Sequence, residues 1–466
     1  SVIHDHAMTT IESRPRTATV AAPQTSRRQP PRRVGDAAAL VAGVGAGITV
    51  AVTIPAIIAL SWSAPGALAS ALGIVTAMLG TYAALLSILL MARLPFLEHE
   101  VGQDRLVAWH RTLGPSTLLL IVAHVVLTTW GYAQQVNATW LSELVSLTFD
   151  TAWMLPAMAA TLIMVGLGVM SWRRIRNRMR YETWHIAHLY FYLAIALAFG
   201  HQIESGSVFF DAPFARAWWI GLYVAVAAAV LVFRFGAPIR QSLRHRLTVR
   251  SVERADHDAV HVHFRGHDLD RLRAAGGQWF SFRFGTRRWW WQGHPYSLSA
   301  GPTSTSMRIT VRDLGDQSGA LLSLRPGTPV FIEGPYGAMR MDTRTTDHVV
   351  LVAAGVGITP MRALLDELPP GVLADVIYRA SAEPALLVDE LRAIEAASRG
   401  QVRVQVLAGT RRRWPMTPDL LTQLVPGIAN ADVYACGPSG FTDSVHAAAR
   451  QAGVRADACH HELFEF

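Results

Sequence analysis

The segment from residue 106 to residue 130 reads LVAWHRTLGPSTLLLIVAHVVLTTW. It contains one charged side chain, Arg111, and as a helix rising 1.5 Å per residue it is long enough to cross the apolar core of a bilayer, which is about 30 Å thick. The run also holds two histidines, His110 and His124, which are 14 residues apart. Because this spacing is close to four helical turns, both imidazoles lie on one face of the helix, about 20 Å apart.

Five other segments share this length and apolar character, and they are residues 37–60, 67–92, 152–171, 184–203 and 214–233. The composition agrees, because 51% of the residues are hydrophobic and only 16% are charged, against about 25% in ordinary soluble domains. We therefore predict an all-α bundle of six transmembrane helices over residues 37–235, embedded in a lipid bilayer. Residues 1–36 are rich in Pro, Arg, Ser and Thr, which predicts a disordered basic tail.

The arginines predict the orientation of this bundle. All 42 basic residues are Arg, and the connection 172–183 carries five of them, whereas the connection 131–151 carries none. By the positive-inside rule we expect a multi-pass protein of the cell membrane with both termini in the cytoplasm. The arginines lie beside apolar runs instead of alternating with aromatic residues, so nucleic acid is not an expected partner.

The fifth span carries a second histidine pair, His188 and His201, which are 13 residues apart. Spans three and five run in the same direction, so we expect His110 level with His188, and His124 level with His201. Two facing imidazoles can ligate one haem iron from both sides, so these four histidines are the candidate metal ligands of two stacked b-type haems. A proton relay is the weaker alternative, because the spans contain essentially no Asp or Glu.

His185 leaves one ambiguity in this assignment. It lies three residues before His188, so it could be the inner ligand or a group near a haem propionate, although the 13-residue spacing favours His188.

The number and spacing of the cysteines limit which cofactors the chain can hold. The chain has only Cys436 and Cys459 and no C-x-x-C motif, which excludes a four-thiolate iron–sulfur cluster and covalently attached haem c.

After the sixth span, the long apolar runs end and the sequence has the pattern of a soluble protein. Short alternating runs predict six strands of an antiparallel β-barrel over residues 243–340, and these runs are 245–252, 259–265, 277–284, 295–299, 307–312 and 328–332. Residues 345–466 then alternate apolar strands with helical stretches, which is typical of a doubly wound α/β nucleotide-binding domain. The predicted parallel strands are 348–353, 374–379, 401–407 and 431–435.

Two motifs in the barrel predict a flavin site. A flavin needs an aromatic ring beside its own ring, a hydroxyl near N5 and backbone amides for its pyrophosphate. The candidate residues form a strand followed by a turn: His294, Pro295, Tyr296, Ser297, Leu298, Ser299, Gly315, Ser318 and Gly319. The sequence Glu333-Gly334-Pro335-Tyr336-Gly337 follows them and strengthens the interpretation.

Two turns in the α/β domain predict a nicotinamide dinucleotide site, because glycine lets a pyrophosphate approach the backbone at a helix start. The residues are Gly355, Val356, Gly357, Ile358, Thr359 and Pro360, together with Cys436, Gly437 and Pro438 at the carboxyl edge of the sheet. Arg379 is well placed to bind a 2′-phosphate, with Arg411, Arg412 and Arg413 as further candidates, so NADPH is favoured over NADH.

These motifs together resemble the ferric reductase and NADPH oxidase superfamily, in which a six-helix haem domain is joined to a ferredoxin-NADP reductase-like module. The resemblance covers nearly all of the chain after residue 36. It implies two b-type haems on the histidine pairs, FAD on the His294–Ser299 segment, and NAD(P)H on the two glycine turns. It also implies that the terminal aromatic, Phe466, shields the flavin where nicotinamide must stack.

The candidate catalytic residues are therefore Phe466, Ser297 and Cys436. Ferredoxin reductases usually have Arg at the position of His294, whereas the membrane branch has His-Pro-aromatic, as here.

The expected function is transfer of electrons from cytoplasmic NAD(P)H through FAD and two haems to an extracytoplasmic ferric chelate or dioxygen. The outer connection 131–151 carries Glu143 and Asp150, which favours a cationic or metal acceptor. Two alternatives remain open. One is a haem-free, membrane-anchored flavin reductase that serves a soluble partner, and the other is a haem subunit that donates electrons to a periplasmic enzyme. The sequence does not decide whether an accessory subunit is needed.

Overall fold

A computed structural model describes residues 33–256, 258–287, 289–312, 319–337, 339–380 and 385–463. Most of the predicted tail, residues 1–32, lies outside these ranges, as do three candidate site residues, Gly315, Ser318 and Phe466. The first helix begins at Arg33, which is four residues earlier than the boundary predicted at residue 37.

The predicted six-helix membrane domain is confirmed. Within the described residues, six helical stretches are long and apolar enough to cross a membrane: Ala37–Ile58, Ala67–Leu90, Arg105–Gln135, Met154–Ser171, Thr183–Ser205 and Pro213–His245. The helices of this half are α1 (Arg33–Ala51), α2 (Ile54–Ile58), α3 (Ala67–Leu90), α4 (Pro95–Val101), α5 (Gln103–Gln135), α6 (Trp140–Asp150), α7 (Met154–Ser171), α8 (Arg173–Arg176), α9 (Tyr181–Ser205), α10 (Pro213–Ala229) and α11 (Ala237–His245).

Two features of this domain differ from the prediction. The outer connection contains α6, whose first turn is capped by the Thr139 side chain accepting a bond from the Ser142 amide at 3.2 Å. The sixth span does not end at residue 233, because a π-helical segment, Val230–Gly236, joins α10 to α11. Pro238 lies within this continuous helical stretch, directly after the π-helical segment.

The next six strands form the predicted antiparallel barrel, in the order β1-β2-β5-β4-β3-β6. They are β1 (Thr248–Asp256), β2 (Ala259–Arg265), β3 (Trp279–Phe284), β4 (His294–Ala300), β5 (Ser306–Arg312) and β6 (Val330–Tyr336). Strand β3 shows why this part folds: alternate residues Phe280, Phe282 and Phe284 point inward and are fully buried. Burial stabilises the barrel by about 1.5–3 kcal/mol for each such ring.

The last domain is the predicted α/β layer, with a parallel sheet in the order β11-β10-β7-β8-β9. Its elements are β7 (His348–Ala354), α12 (Ile358–Leu365), β8 (Leu373–Ala380), α13 (Val388–Ala397), β9 (Val402–Ala408), α14 (Pro418–Leu424), β10 (Asp432–Gly437), α15 (Ser439–Gln451) and β11 (Cys459–Leu463). Strand β11 was not predicted, because its polar sequence CHHEL has none of the apolar character of the central strands.

Candidate functional site

The four intramembrane histidines form two facing pairs between α5 and α9. The ring centroids of His110 and His188 are 6.0 Å apart, and those of His124 and His201 are 6.5 Å apart. Since the earlier histidine of α5 meets the earlier histidine of α9, the two helices run in the same direction. This is the pairing that the 14- and 13-residue spacings predict.

We call His110 and His188 the inner pair and His124 and His201 the outer pair. In the outer pair, His124 is oriented by a neighbouring backbone carbonyl. Nδ1 of His124 lies 3.0 Å from the carbonyl oxygen of Gly73 on α3, and 3.1 Å from Oγ1 of Thr128. A carbonyl only accepts hydrogen bonds, so Nδ1 carries the proton and Nε2 keeps its lone pair. The histidine is therefore in the tautomer that binds a metal through Nε2.

The inner pair is oriented by two serines that the sequence interpretation missed. Nδ1 of His110 lies 2.8 Å from Oγ of Ser87 and 3.2 Å from the Ser87 carbonyl oxygen. Nδ1 of His188 lies 3.3 Å from Oγ of Ser171, which also accepts a bond from the indole of Trp184 at 3.3 Å. A serine among apolar residues is common in membrane helices, so no sequence signal distinguished these two.

The structure places His185 and His188 in different surroundings. His188 faces His110, whereas the ring of His185 lies beside Trp184 at 6.4 Å between centroids. The structure thus brings together the four histidines singled out by their spacing and gives His185 a different neighbourhood.

A cavity of about 90 Å³ adjoins the outer pair and is lined by both His124 and His201. Most of the lining is apolar, and the unpredicted helix α6 contributes Leu144, Leu147 and Thr148 to it. Apolar walls around two imidazoles are suited to a flat, largely hydrophobic prosthetic group whose metal takes nitrogen ligands.

In the barrel, β4 presents the predicted flavin segment. Ser297 is 5% exposed, and its Oγ has no hydrogen-bond partner among the described residues. Burial raises the pKa of Tyr296 to about 12, so this hydroxyl stays protonated at neutral pH. Ser299 is placed differently, because its Oγ accepts a bond from Nε of Arg308 at 3.1 Å. Leu298 is fully buried in the barrel core, and His294 and Pro295 begin the strand.

The two glycine turns of the α/β domain meet at one edge of the sheet. A Cβ on Gly357 would lie 2.3 Å from the carbonyl oxygen of Cys436, so only glycine permits this approach. Gly355 has φ of +57°, a left-handed conformation that also favours glycine. Cys436 itself is fully buried, in the same core cluster as Ile358. Thr359 and Pro360 lie in the first turn of α12, and Gly437 and Pro438 follow Cys436 at the sheet edge.

Arg379 lies at the end of β8, with its guanidinium over the ring of Phe441 at 4.5 Å. Burial and the nearby charge of Arg411 lower its pKa. Among the described residues, no carboxylate lies within salt-bridge distance of either guanidinium, and the side chains of Arg412 and Arg413 are exposed. Two neighbouring cations form a suitable site for an anion.

The barrel and the α/β domain are fixed to each other by ionic contacts. The guanidinium of Arg308 on β5 binds both carboxylate oxygens of Glu390 on α13 at 2.8 Å. The amide of Gly301, next to the flavin segment, donates to Asp366 after α12 at 2.8 Å. These bonds hold β4 close to the helix that begins at the Gly355 turn.

Comparison with known proteins agrees with both halves of this architecture. Residues 76–199 match the family "Ferric reductase like transmembrane component", and residues 351–447 match "Oxidoreductase NAD-binding domain". The chain joins a ferric reductase-like transmembrane domain to an oxidoreductase NAD-binding domain. The resemblance predicted from the sequence is confirmed at this level. The chain thus has the six apolar helices of a multi-pass membrane protein, a match to a ferric reductase-like transmembrane component, and a match to an NAD-binding domain of the oxidoreductase type.

Curated relatives match part of the chain. A flavohemoprotein of Xylella fastidiosa is 29% identical over 202 residues, which are 40% of this chain and 50% of the relative. NADH-cytochrome b5 reductase 2 of Neurospora crassa is 30% identical over 28% of this chain and 42% of its own length. The chain thus spans about half the length of the curated relatives it matches.

Solved structures are similar at low identity. Flavohemoglobin of Malassezia yamatoensis aligns with a TM-score of 0.44 and 18% identity, covering 90% of this chain and 99% of that one. The FAD/NAD-binding domain of nitric oxide dioxygenase from Vibrio cholerae aligns with a TM-score of 0.39 and 23% identity, covering 47% and 99% of the two chains.

Proposed function

We propose that this protein transfers electrons across a membrane, from cytoplasmic NAD(P)H through FAD and two b-type haems to a ferric chelate or dioxygen on the other side. The proposal rests mainly on one observation: histidines of α5 and α9 face each other at two levels of the six-helix domain. The chain then continues from this domain into the barrel and the α/β domain. FAD converts the two-electron hydride into single electrons, and haem iron accepts electrons one at a time.

The histidine geometry fits haem. Imidazole nitrogens bound at about 2.0 Å on opposite sides of one metal place the two ring centroids roughly 6 Å apart. The observed separations are 6.0 Å and 6.5 Å. His110 and His188 would hold the inner haem, and His124 and His201 the outer one. The Nδ1 contacts of three of these histidines would leave Nε2 as the ligand atom, as second-shell bonds do in metalloproteins.

The flavin segment fits FAD for a related reason. The buried Oγ of Ser297 has no partner among the described residues, and a buried hydroxyl is costly unless a ligand satisfies it. We assign to this hydroxyl a hydrogen bond near N5 of the flavin ring, and to Tyr296 the aromatic contact with that ring. Gly319 and the adjoining turn would face the pyrophosphate, and Phe466 would cover the face where nicotinamide stacks.

The cosubstrate is NADPH in this proposal. The backbone of the Gly355–Pro360 turn would receive the pyrophosphate, because Gly355 and Gly357 leave the approach open. A 2′-phosphate would then bind Arg379 and Arg411, relieving the repulsion between these neighbouring cations. Cys436, which is buried against Gly357, would shape the nicotinamide end of the site through its backbone.

The test is an anaerobic difference spectrum of the purified protein with FAD, recorded before and after NADPH and, separately, NADH. We expect flavin bleaching followed by the bands of reduced low-spin b-type haem. Flavin bleaching without a haem signal would contradict the two-haem path and support the anchored flavin reductase instead.

The identity of the electron acceptor is tested with the same purified protein and FAD. Glu143 and Asp150 make the outer connection acidic, and this favours a cationic or metal acceptor over an anionic one. We expect reduction of a ferric chelate to be faster than oxygen consumption under equal NADPH. Electron delivery to neither acceptor by haem-reduced protein would support a subunit that serves a separate periplasmic enzyme.

A further inference from the structure

A carboxylate is buried where the membrane domain meets the barrel. Glu333 on β6 is 3% exposed, and three guanidiniums surround it. Arg283 of β3 lies 3.3 Å from its Oε2, Arg93 lies 3.6 Å from its Oε1, and Arg234 is bonded to Oε1. The hydroxyl of Tyr336 donates to the same carboxylate at 3.0 Å. We call Arg93, Arg234, Arg283 and Glu333 the junction cluster.

The cluster connects two domains because its members come from both. Arg93 follows α3 and Arg234 lies in the π-helical segment of the sixth span, whereas Arg283 and Glu333 belong to the barrel. Burial alone would raise the pKa of Glu333, but the charges of Arg234, Arg93 and Arg283 outweigh burial and lower it. Glu333 is therefore ionised at neutral pH, and the cross-domain contacts are true ion pairs.

Arg93 is held more firmly than a surface arginine. Its guanidinium lies 3.1 Å from Oε1 of Glu98 and stacks over the ring of Tyr336 at 4.1 Å and near that of Trp279 at 5.7 Å. Burial opposes the charged form, yet Tyr336, Glu98 and Glu333 together raise the pKa of Arg93. A side chain fixed by two carboxylates and two rings defines both distance and orientation at the junction.

The junction cluster is connected to both halves of the proposed electron path. On the membrane side, Arg93 comes six residues after Ser87, whose hydroxyl lies against Nδ1 of His110. On the barrel side, Trp279 of β3 is paired in register with Tyr336 of β6 and with Ser297 of β4. A short stretch of chain, the contact of Arg93 with Trp279 and the strand pairing therefore link the inner histidine pair to the flavin segment.

Helix α11 adds a second set of bonds to the same strand. Nε2 of Gln241 donates to the carbonyl of Gly334 at 2.5 Å, and Oγ of Ser242 accepts from the amide of Ile332 at 3.1 Å. Because α11 continues the sixth span, these bonds attach the middle of β6 to the membrane domain. The junction cluster adds ion pairs to these neutral hydrogen bonds.

We infer that Arg93 and Arg234 are positioning residues, which through Glu333 fix the distance between the flavin segment and the inner histidine pair and so set the rate of electron transfer into the membrane domain. This inference rests on the proposed function. The physical reason is that tunnelling slows exponentially with distance, so a small displacement of the barrel slows haem reduction without changing hydride transfer inside the reductase module.

The test separates these two steps in the full-length protein by anaerobic stopped-flow with NADPH, following flavin bleaching and the reduced-haem band. Variants Arg93→Gln and Arg234→Gln each remove one cross-domain ion pair. Displacement of a reacting group by a distant mutation can slow a reaction strongly, and tunnelling slows several-fold for each ångström added, so we expect haem reduction to slow by about tenfold. Flavin bleaching should stay within about twofold, and Arg93→Lys should recover part of the haem rate, since it keeps the charge.

The matched control is Arg283→Gln, which removes an ion pair from the same carboxylate but leaves both cross-domain pairs intact. We expect both of its rates to stay near those of the wild-type protein. Equal slowing in Arg283→Gln and Arg93→Gln would overturn the inference, because the loss would then reflect damage to the barrel. Unchanged haem reduction in both cross-domain variants would also overturn it. Absence of haem reduction in the wild-type protein would instead refute the proposed function on which the inference rests.

Discussion

The carbonyl oxygen of Gly73 lies 3.0 Å from Nδ1 of His124, although the two residues belong to different helices. The contact depends on a close approach of α3 to α5, because a Cβ on Gly73 would lie 2.4 Å from Oγ1 of Thr128. Glycine at this position therefore allows a backbone group to select the tautomer of a proposed haem ligand. A similar role belongs to Ser87 beside His110, so α3 orients one histidine at each level.

This relationship predicts the effect of Gly73→Ala. The added methyl group would separate α3 from α5 and weaken the bond to His124, which should lower affinity for the outer haem by roughly 10- to 100-fold. The measurement is haem per flavin in purified protein, together with the midpoint potentials of the haems. Gly166→Ala is the control, because a Cβ there has no atom within 4 Å among the described residues. Equal haem content and unchanged potentials in the two variants would contradict the role of Gly73.

The ligand assignment predicts different results for neighbouring histidines. His124→Ala and His188→Ala should each lower the haem content by about half, because a haem held by one protein ligand is readily lost. His185→Ala should keep the full haem content, since the ring of His188, and not that of His185, faces His110. Haem is measured by the pyridine haemochrome spectrum. Haem loss in His185→Ala, with full content in His188→Ala, would reverse the assignment of the inner ligand.

Arg379 should decide between the two nicotinamide cosubstrates. A charged hydrogen bond to a phosphate contributes about 1.5–3 kcal/mol, so Arg379→Ala should raise the KM for NADPH by roughly 10- to 100-fold. The KM for NADH should change little, because NADH has no 2′-phosphate. The assay is flavin reduction with each cosubstrate, with Arg325→Ala, an exposed arginine of the barrel, as the control. Equal losses with NADPH and NADH would show that Arg379 supports the fold instead of binding the phosphate.

Asp432 should stabilise the α/β domain in a pH-dependent way. Its buried carboxylate accepts bonds from the amides of Thr345 and Thr346 at 2.8 and 2.7 Å, and lies 3.0 Å from Nε2 of His460. Burial alone would raise the pKa of Asp432, but these bonds outweigh it and lower the pKa. The stabilisation is therefore complete above the usual aspartate pKa, about 3.9, and is lost as the pH falls through the lowered value.

Replacement of this carboxylate tests the argument. Asp432→Asn should cost about 2 kcal/mol at pH 7, or roughly 6–12 °C in the thermal unfolding midpoint of the α/β domain. Asp443→Asn, at an exposed position of α15, should leave the midpoint unchanged. The same loss in both variants, or none in Asp432→Asn, would contradict the role of the buried carboxylate.

The sequence determined the elements whose signal is local. Apolar length defined the six spans, and period-2 alternation defined strands such as β3, because each of these patterns records which side of one element faces lipid or core. Helical spacing of histidines even predicted which residues of α5 and α9 would meet. Apolar length and alternation did not predict the helices and strands that polar or amphipathic residues form, as in α6, α11 and β11. There the helix or strand is stabilised by contacts with other elements, which no local period reveals.

Only the tertiary structure decided how the chemical groups are held. That Gly73 and Ser87 orient histidines, that Cys436 is buried against Gly357, and that Glu333 joins Arg93 to Arg234 depend on residues between about 20 and 240 positions apart in the chain. Sequence spacing fixes which residues share a face, since one helix or strand has a constant geometry. Contacts between elements depend on how whole surfaces pack, and that is a property of the entire fold.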